Sequence, residues 1–149
     1  MTTDDLVALS ERHFIQLGVD YGHTEDKSCF FLPSENDAAV IVTPDEMTYE
    51  SGEVWPILNF FIPILDEVDL DCVDAEALMR LDAEMPFGAL LLSFEDQVLG
   101  VSHQCVGWPG AVEYRVAIEL LIGAAERIRG QLGEAVSGKA PQKYSELVS

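Results

Sequence analysis

Positive charge is scarce in this sequence of 149 residues. Eight lysines and arginines stand against twenty-seven acidic residues, which gives a formal net charge of −19. Residues 28–79 contain no lysine or arginine, and they carry twelve of the acids. A surface this negative repels phosphate backbones, so we predict no direct binding to DNA or RNA. The charge suits either a chain that stays soluble through self-repulsion or one that attracts a basic protein partner.

Long apolar runs are also missing. The most apolar stretch, residues 54–65, is too short to span a bilayer and is interrupted by Pro56, Asn59 and Pro63. The first residues include Asp4 and Asp5, and they do not form the basic and apolar regions of a secretory signal. These features predict a cytoplasmic protein with no membrane partner. Cysteine is also sparse. The three cysteines are widely spaced and do not make a disulfide framework, so we expect reduced thiols.

No recognised metal-binding motif is present. The acid-rich residues 66–74 invite comparison with a calcium-binding loop that would begin at Asp69. Such a loop needs an oxygen ligand, a glycine and a glutamate at its fifth, sixth and twelfth positions, where this chain has Val73, Asp74 and Arg80. We therefore predict an acidic connector, with no metal ligands and no cofactor.

Signatures of catalysis are lacking as well. Residues 102–105 combine a serine, a histidine and a cysteine, but in a strand Ser102 would face away from His103 and Cys105. No nucleophile-elbow motif surrounds the serine. We predict a packed histidine in a sheet, no catalytic residues and no enzymatic activity.

The sequence is rich in alternating helical and extended patterns. Residues 1–133 are predicted to form a single α+β domain, and the small, polar residues 134–149 a flexible C-terminal tail. The element order α-β-β-β-α-β-β-α predicts an antiparallel sheet of about five strands flanked by three helices. The helices are expected at residues 4–17, 73–84 and 111–132, and the strands at 28–33, 38–43, 54–65, 87–94 and 98–106.

The predicted strand at residues 54–65 is apolar on both faces, which is typical of a strand covered on both sides. In a chain this small, the second cover could come from another subunit. The two prolines within this strand indicate an edge position or β-bulges. The candidate partner or dimer surface is Trp55, Ile57, Phe60, Phe61 and Ile62, and the candidate acidic rim beside it is Asp66, Glu67, Asp69 and Asp71.

Small residues occur in the middle of the last predicted helix. Gly123, Ala124 and Ala125 would let that helix approach a neighbour closely. Packing against the chain's own sheet is the favoured interpretation, and a helix–helix dimer contact is the alternative.

The arrangement resembles the YbjN-like proteins, whose fold is shared with the type III secretion chaperones. The resemblance covers about residues 4–132 and rests on the element order. It rests also on the helix at 78–85 that leads into the strand Phe87-Gly88-Ala89, and on the strand at 98–106 that leads into a long closing helix. It implies a homodimer that binds other proteins, and the chaperone members are likewise small and acidic.

These patterns together predict a non-enzymatic, acidic, homodimeric protein-binding module, either an adaptor or a chaperone-like protein. Its expected partner is a basic protein, such as one that itself binds DNA or RNA. The alternative is a small enzyme, or a regulator that binds a small ligand, using the carboxylates at 66–74 together with His103. The sequence leaves open which surface forms the dimer.

Overall fold

A computed structural model describes residues 2–148 as six antiparallel strands and four helices. The order across the sheet is β1-β2-β3-β4-β6-β5, and each neighbouring pair is antiparallel. The strands are β1 Gly22–His23, β2 Phe30–Pro33, β3 Ala39–Thr48, β4 Val54–Leu65, β5 Ala89–Ser93 and β6 Val98–Val106. The helices are α1 Thr3–Leu17, α2 Ala75–Ala83, α3 Ala111–Gln131 and α4 Tyr144–Leu147, with 3₁₀ turns at Glu35–Asp37 and Leu70–Cys72.

The α+β class and the antiparallel sheet are confirmed, but the predicted numbers of elements are wrong. The sheet has six strands instead of about five, and there are four helices instead of three. The additional elements are the two-residue strand β1 and the one-turn helix α4. Elements this short depend on tertiary pairing and docking, so they leave no periodic pattern in the sequence.

Local capping explains where the first two long helices begin. The Thr2 side chain accepts a hydrogen bond from the Asp5 backbone N–H, and the Asp5 carboxylate accepts one from the Thr2 backbone N–H, which makes a capping box. Gly18 ends α1 in the left-handed conformation, with φ of 68°. Helix α2 begins after Asp74, whose carboxylate accepts from the Ala77 N–H at 3.1 Å.

Strand β3 is longer than predicted. The sequence expectation ended it before Pro44, but the strand continues to Thr48. Strand β2 begins opposite Val42, so beyond that point β3 pairs with β4 alone. Proline is tolerated there because a strand with a partner on one side only has less need of every N–H.

Strand β4 has the predicted bounds and lies in the middle of the sheet, between β3 and β6. The edge position suggested by its two prolines is therefore wrong. A bulge is present, because the register with β6 shifts between Pro63 and Leu65. Pro56 lies just beyond the last paired residues of β4 and β6, and its carbonyl accepts from the Gly107 N–H at 2.9 Å.

Helices α1 and α3 cover one face of the sheet and enclose the core. Leu58, Phe60, Ile62 and Ile64 point from β4 into this core. Helix α3 contributes the buried residues Tyr114, Ala117, Leu121, Ala125 and Ile128, which recur every three or four positions. We call the opposite side of the sheet the open face.

The chain after α3 runs from the helix side of the molecule towards the open face. Val136 is buried, and the backbones of Asp66 and Lys139 exchange two hydrogen bonds. Further on, the Ser145 N–H donates to the Asp37 carboxylate at 3.2 Å. The flexibility predicted for residues 134–149 stays a prediction. Met1 and Ser149, at the outer ends of the two predicted regions, lie outside the described residues.

Candidate functional site

The open face carries an apolar surface built by strand alternation. Residues 55, 57, 59 and 61 of β4 point to it, because their neighbours point into the core. The register places Ile41 on one side of Phe61 and Ser102 on the other. Large side chains at the margins of this face are partly exposed: Trp55 by 40%, Leu91 by 47% and Val106 by 54%.

A groove of about 480 Å³ crosses the open face beside Phe61. Its floor comes from the four neighbouring strands β3, β4, β6 and β5, and Leu147 of α4 forms part of its wall. Gly100 lies beneath the aromatic ring, since a Cβ atom there would be 2.3 Å from Phe61 Cζ. The glycine therefore lets the ring lie close against β6. The apolar lining residues are Ile41, Phe61, Pro63, Leu91, Val98, Pro141 and Leu147.

Two acids stand at the groove, and they are not the set predicted from sequence. Asp66, from the predicted rim, lines it. Asp96 also lines it, from the turn between β5 and β6, and sequence reasoning missed it because only the register brings that turn beside β4. The carboxylates give the groove a negative rim that favours a cationic ligand.

The other members of the predicted rim do not line this groove. The Glu67 carboxylate pairs with the Lys139 ammonium group at 2.8 Å. The Asp69 carboxylate accepts from the Asp71 N–H at 3.1 Å and caps the 3₁₀ turn that follows. Asp71 is exposed. Of the four residues predicted to form the acidic rim, Asp66 alone lines this groove.

A polar row interrupts the apolar surface. Thr43, Asn59 and Gln104 lie side by side on β3, β4 and β6. The Oδ1 atom of Asn59 is buried and accepts no hydrogen bond from the residues of 2–148. A buried acceptor without a donor is costly, and a bound segment could satisfy it with an N–H group.

The structure divides the five residues predicted as the partner or dimer surface. Trp55, Ile57 and Phe61 point to the open face, although Ile57 is only 5% exposed. Phe60 and Ile62 are buried beneath α1 and α3, so they cannot form a surface on the folded chain. The correction has a simple cause: successive side chains of a strand face opposite ways, and the helices occupy one of those sides.

His103 and Cys105 lie on the helix side of the sheet. They point away from Ser102, as strand alternation predicts. The His103 ring packs against Phe87 with 4.4 Å between centroids, and its Nε2 atom is 3.5 Å from Cys105 Sγ. Burial lowers the pKa of His103 and raises the pKa of the Cys105 thiol. A thiolate is therefore disfavoured in this pair, which is the opposite of what a cysteine nucleophile requires.

The carboxylates of residues 66–74 and the imidazole of His103 do not meet. Asp66 lines a groove on the open face, whereas His103 points to the helices. Among residues 2–148, no group of three or more His, Cys, Asp or Glu side chains is placed to hold a metal ion. Within the same residues, no helix combines the length and hydropathy needed to cross a membrane.

Comparisons with known proteins add no relative. No protein-family model matches the chain, and a search of curated proteins finds no similar sequence. The resemblance to YbjN-like proteins and type III secretion chaperones therefore stays a prediction. The class that the fold itself defines is an α+β protein with a six-stranded antiparallel sheet.

Proposed function

We propose that the chain is a non-enzymatic protein-binding module, adaptor-like or chaperone-like, which acts as a homodimer in the cytoplasm. Its binding site is the groove on the open face. The partner presents a segment that combines apolar side chains with lysine or arginine, as the exposed part of a basic, nucleic-acid-binding protein would. The groove beside Phe61, apolar in its floor and acidic at its rim, is the observation that carries the proposal.

The chain's own C-terminal segment supports this choice of partner chemistry. Pro141 and Leu147 form part of the groove's wall, and the segment includes two of the eight basic residues, Lys139 and Lys143. The Lys139 ammonium group pairs with Glu67. A segment with apolar and cationic side chains therefore already packs at the margin of this groove, with its lysine on a carboxylate just outside it.

The acidic rim of the groove and its apolar floor have different roles in partner binding. Exposed acids at the rim of an interface act mainly on the association rate, because they steer an oppositely charged partner over roughly a Debye length, about 8 Å at physiological salt. The apolar contacts then set the dissociation rate. Association should slow as salt rises, whereas dissociation changes less.

The test starts with affinity capture that uses the wild-type protein and the Phe61→Asp variant as matched baits. A protein captured by the first bait and lost from the second is then purified for kinetic measurements. The double variant Asp66→Asn with Asp96→Asn should slow its association. The control, Asp69→Asn with Asp71→Asn, removes the same charge away from the groove and should slow it less. Equal rates for both double variants would exclude the groove rim as the steering element.

The second candidate is a small enzyme, or a regulator that binds a small ligand, using the carboxylates at 66–74 and His103. The placement of Asp66 and His103 on opposite sides of the sheet gives this candidate no shared site. A thermal-shift screen with metal ions and nucleotides tests it directly, and a specific rise in Tm would favour it.

A further inference from the structure

The outward side of α3 carries a partly exposed apolar stripe. Val112, Val116 and Leu120 are 72%, 46% and 47% exposed. They are spaced by four residues, so they lie along one line of the helix, and Gly123 continues that line. We call these four residues the outer stripe. It faces away from the buried side of α3, and it is separate from the groove on the open face.

Gly123 has no role in the packing of the chain itself. A Cβ atom at this position would meet no atom within 4 Å. Glycine inside a helix is less stable than alanine by about 1 kcal/mol, so an exposed glycine here weakens the chain without an internal benefit. Ala124 and Ala125 are buried, as expected for packing on the chain's own sheet, but Gly123 is not. The missing side chain would instead allow another chain to pack closely against the helix at this position.

Electric charge makes a second copy a suitable neighbour at this helix. The exposed charges of α3 are three acids and three arginines, so the helix is neutral within a chain of net charge −19. Two such chains repel one another over most of their surfaces, and a neutral surface minimises that repulsion at the contact. The six residues are Glu113, Arg115, Glu119, Glu126, Arg127 and Arg129.

The order of these charges is self-complementary about Leu120. Glu113 lies seven residues before Leu120 and Arg127 lies seven residues after it. When two copies of α3 cross antiparallel at Leu120, Glu113 of each copy faces Arg127 of the other, as a two-fold interface requires. Arg115 and Glu126, five residues before and six after, approach the same symmetric placement, and Arg115 also pairs with Glu119 of its own helix at 3.1 Å.

A hollow beside the outer stripe adds complementarity of shape to the complementarity of charge between two copies of α3. Leu120 and Gly123 border a hollow of about 380 Å³, whose far side is the segment from Met85 to Phe87. Val116 lies four residues before Leu120 and Gly123 three residues after it. The same antiparallel crossing therefore brings Val116 of one copy to the hollow at Gly123 of the other, where the missing side chain leaves room.

We propose that α3 is the homodimer surface, with two outer stripes packed antiparallel about a two-fold axis near Leu120. The inference rests on the homodimer of the proposed function and assigns that dimer a face. It leaves the open-face groove of each protomer free for the partner.

Light scattering and sedimentation over a concentration series test the contact. Arg127→Glu places two like-charged pairs in the interface and should weaken the dimer about tenfold or more. Arg129→Glu is the matched control, because it makes the same charge change on the same helix but on the flank away from the outer stripe. It should leave the dissociation constant within about twofold. Equal weakening by both variants would show a general charge effect and overturn the α3 assignment.

Mixing provides the geometric test. Glu113→Arg and Arg127→Glu should each weaken self-association, whereas an equal mixture should form heterodimers in which both pairs are again opposite in charge. The double variant with both changes in one chain should recover the wild-type dimer, because the swap restores each pair. Failure of both the mixture and the double variant to recover would overturn the antiparallel register.

The outcome for the wild-type protein separates this inference from the proposed function. A wild-type chain that stays monomeric up to the order of 100 μM removes both the homodimer and its α3 interface. A wild-type dimer that survives Leu120→Glu keeps the homodimer and removes only the α3 interface. Leu120 is partly exposed in the chain, so this variant should fold, and unchanged far-UV circular dichroism checks that it does.

Discussion

The Oγ atom of Ser10 and the Oη atom of Tyr114 lie 2.5 Å apart in the core between α1 and α3. Ser10 Oγ also lies 2.8 Å from the Leu6 carbonyl oxygen, to which it donates its single hydrogen. Tyr114 is therefore the donor in the contact between the two side chains. Both are fully buried, so this hydrogen bond ties the first helix to the closing helix where water does not compete.

Ser10 and Tyr114 should behave as a coupled pair in a double-mutant cycle. Ser10→Ala leaves the buried Tyr114 hydroxyl without an acceptor and should lower the free energy of unfolding by about 1–3 kcal/mol. Tyr114→Phe should cost less, about 0.5–1.5 kcal/mol, because Ser10 keeps its bond to Leu6. The double variant should then lose less than the sum of the two. Urea denaturation measures all four free energies, and strict additivity would contradict the coupling.

Tyr114 should also make the protein sensitive to alkali. Burial raises the pKa of Tyr114 from 10.0 to about 12. Between these two values the unfolded chain loses the phenolic proton and the folded chain keeps it, so the free energy of unfolding falls as pH rises from 10 towards 12. The shift corresponds to about 2–3 kcal/mol. Tyr114→Phe, compared with wild type over the same pH range, should remove this part of the decline, and parallel curves would contradict it.

Alanine at two glycines should have opposite effects on stability. At Gly100 a Cβ atom would lie 2.5 Å from the Ile62 carbonyl oxygen, and that backbone atom cannot move aside within the sheet. Gly100→Ala should therefore destabilise the fold by about 1–3 kcal/mol. Gly123→Ala should stabilise it by about 1 kcal/mol, because the position is open and helical. Thermal unfolding at concentrations where the protein is monomeric gives both values, and equal signs would contradict the packing described.

Aspartate at two neighbouring phenylalanines should separate folding from binding. Phe60 is fully buried beside Tyr114, with ring centroids 5.8 Å apart, so Phe60→Asp places an unpaired charge in the core and should unfold the chain. Phe61 lies on the open face, where a carboxylate can reach water. Phe61→Asp should keep native circular dichroism and lose partner capture. A folded Phe60→Asp protein would contradict the assignment of the two faces.

The protein should not bind nucleic acid on its own. Four of its eight basic residues are already paired with acids, at Lys27, Arg80, Arg115 and Lys139. A gel shift with single- and double-stranded oligonucleotides at low salt is the demanding test, because low salt strengthens any phosphate contact. A basic oligonucleotide-binding protein in a parallel lane checks that the assay detects binding. Retardation by the chain itself would show a basic patch that the net charge conceals.

The sequence by itself determined the elements whose patterns are strictly local. Strands β4 and β6 have the predicted bounds, because apolar runs ended by turn residues define them without reference to any neighbour. Helix α3 begins at Ala111 as predicted, since Gly107, Pro109 and Gly110 break the strand before it. The sequence also predicted that both faces of β4 are apolar and that Ser102 and His103 point in opposite directions.

Tertiary structure alone decided which elements pack against each face of the sheet. Alternation shows that Phe60 and Phe61 point opposite ways, but the side that receives α1 and α3 depends on how those helices pack back onto the sheet. The continuation of β3 through Pro44 depends on where β2 begins beside it, and the central place of β4 depends on the long-range pairing with β6. Asp96 joins Asp66 at the groove for the same reason: a residue's neighbours across a sheet are set by register, which no local pattern encodes.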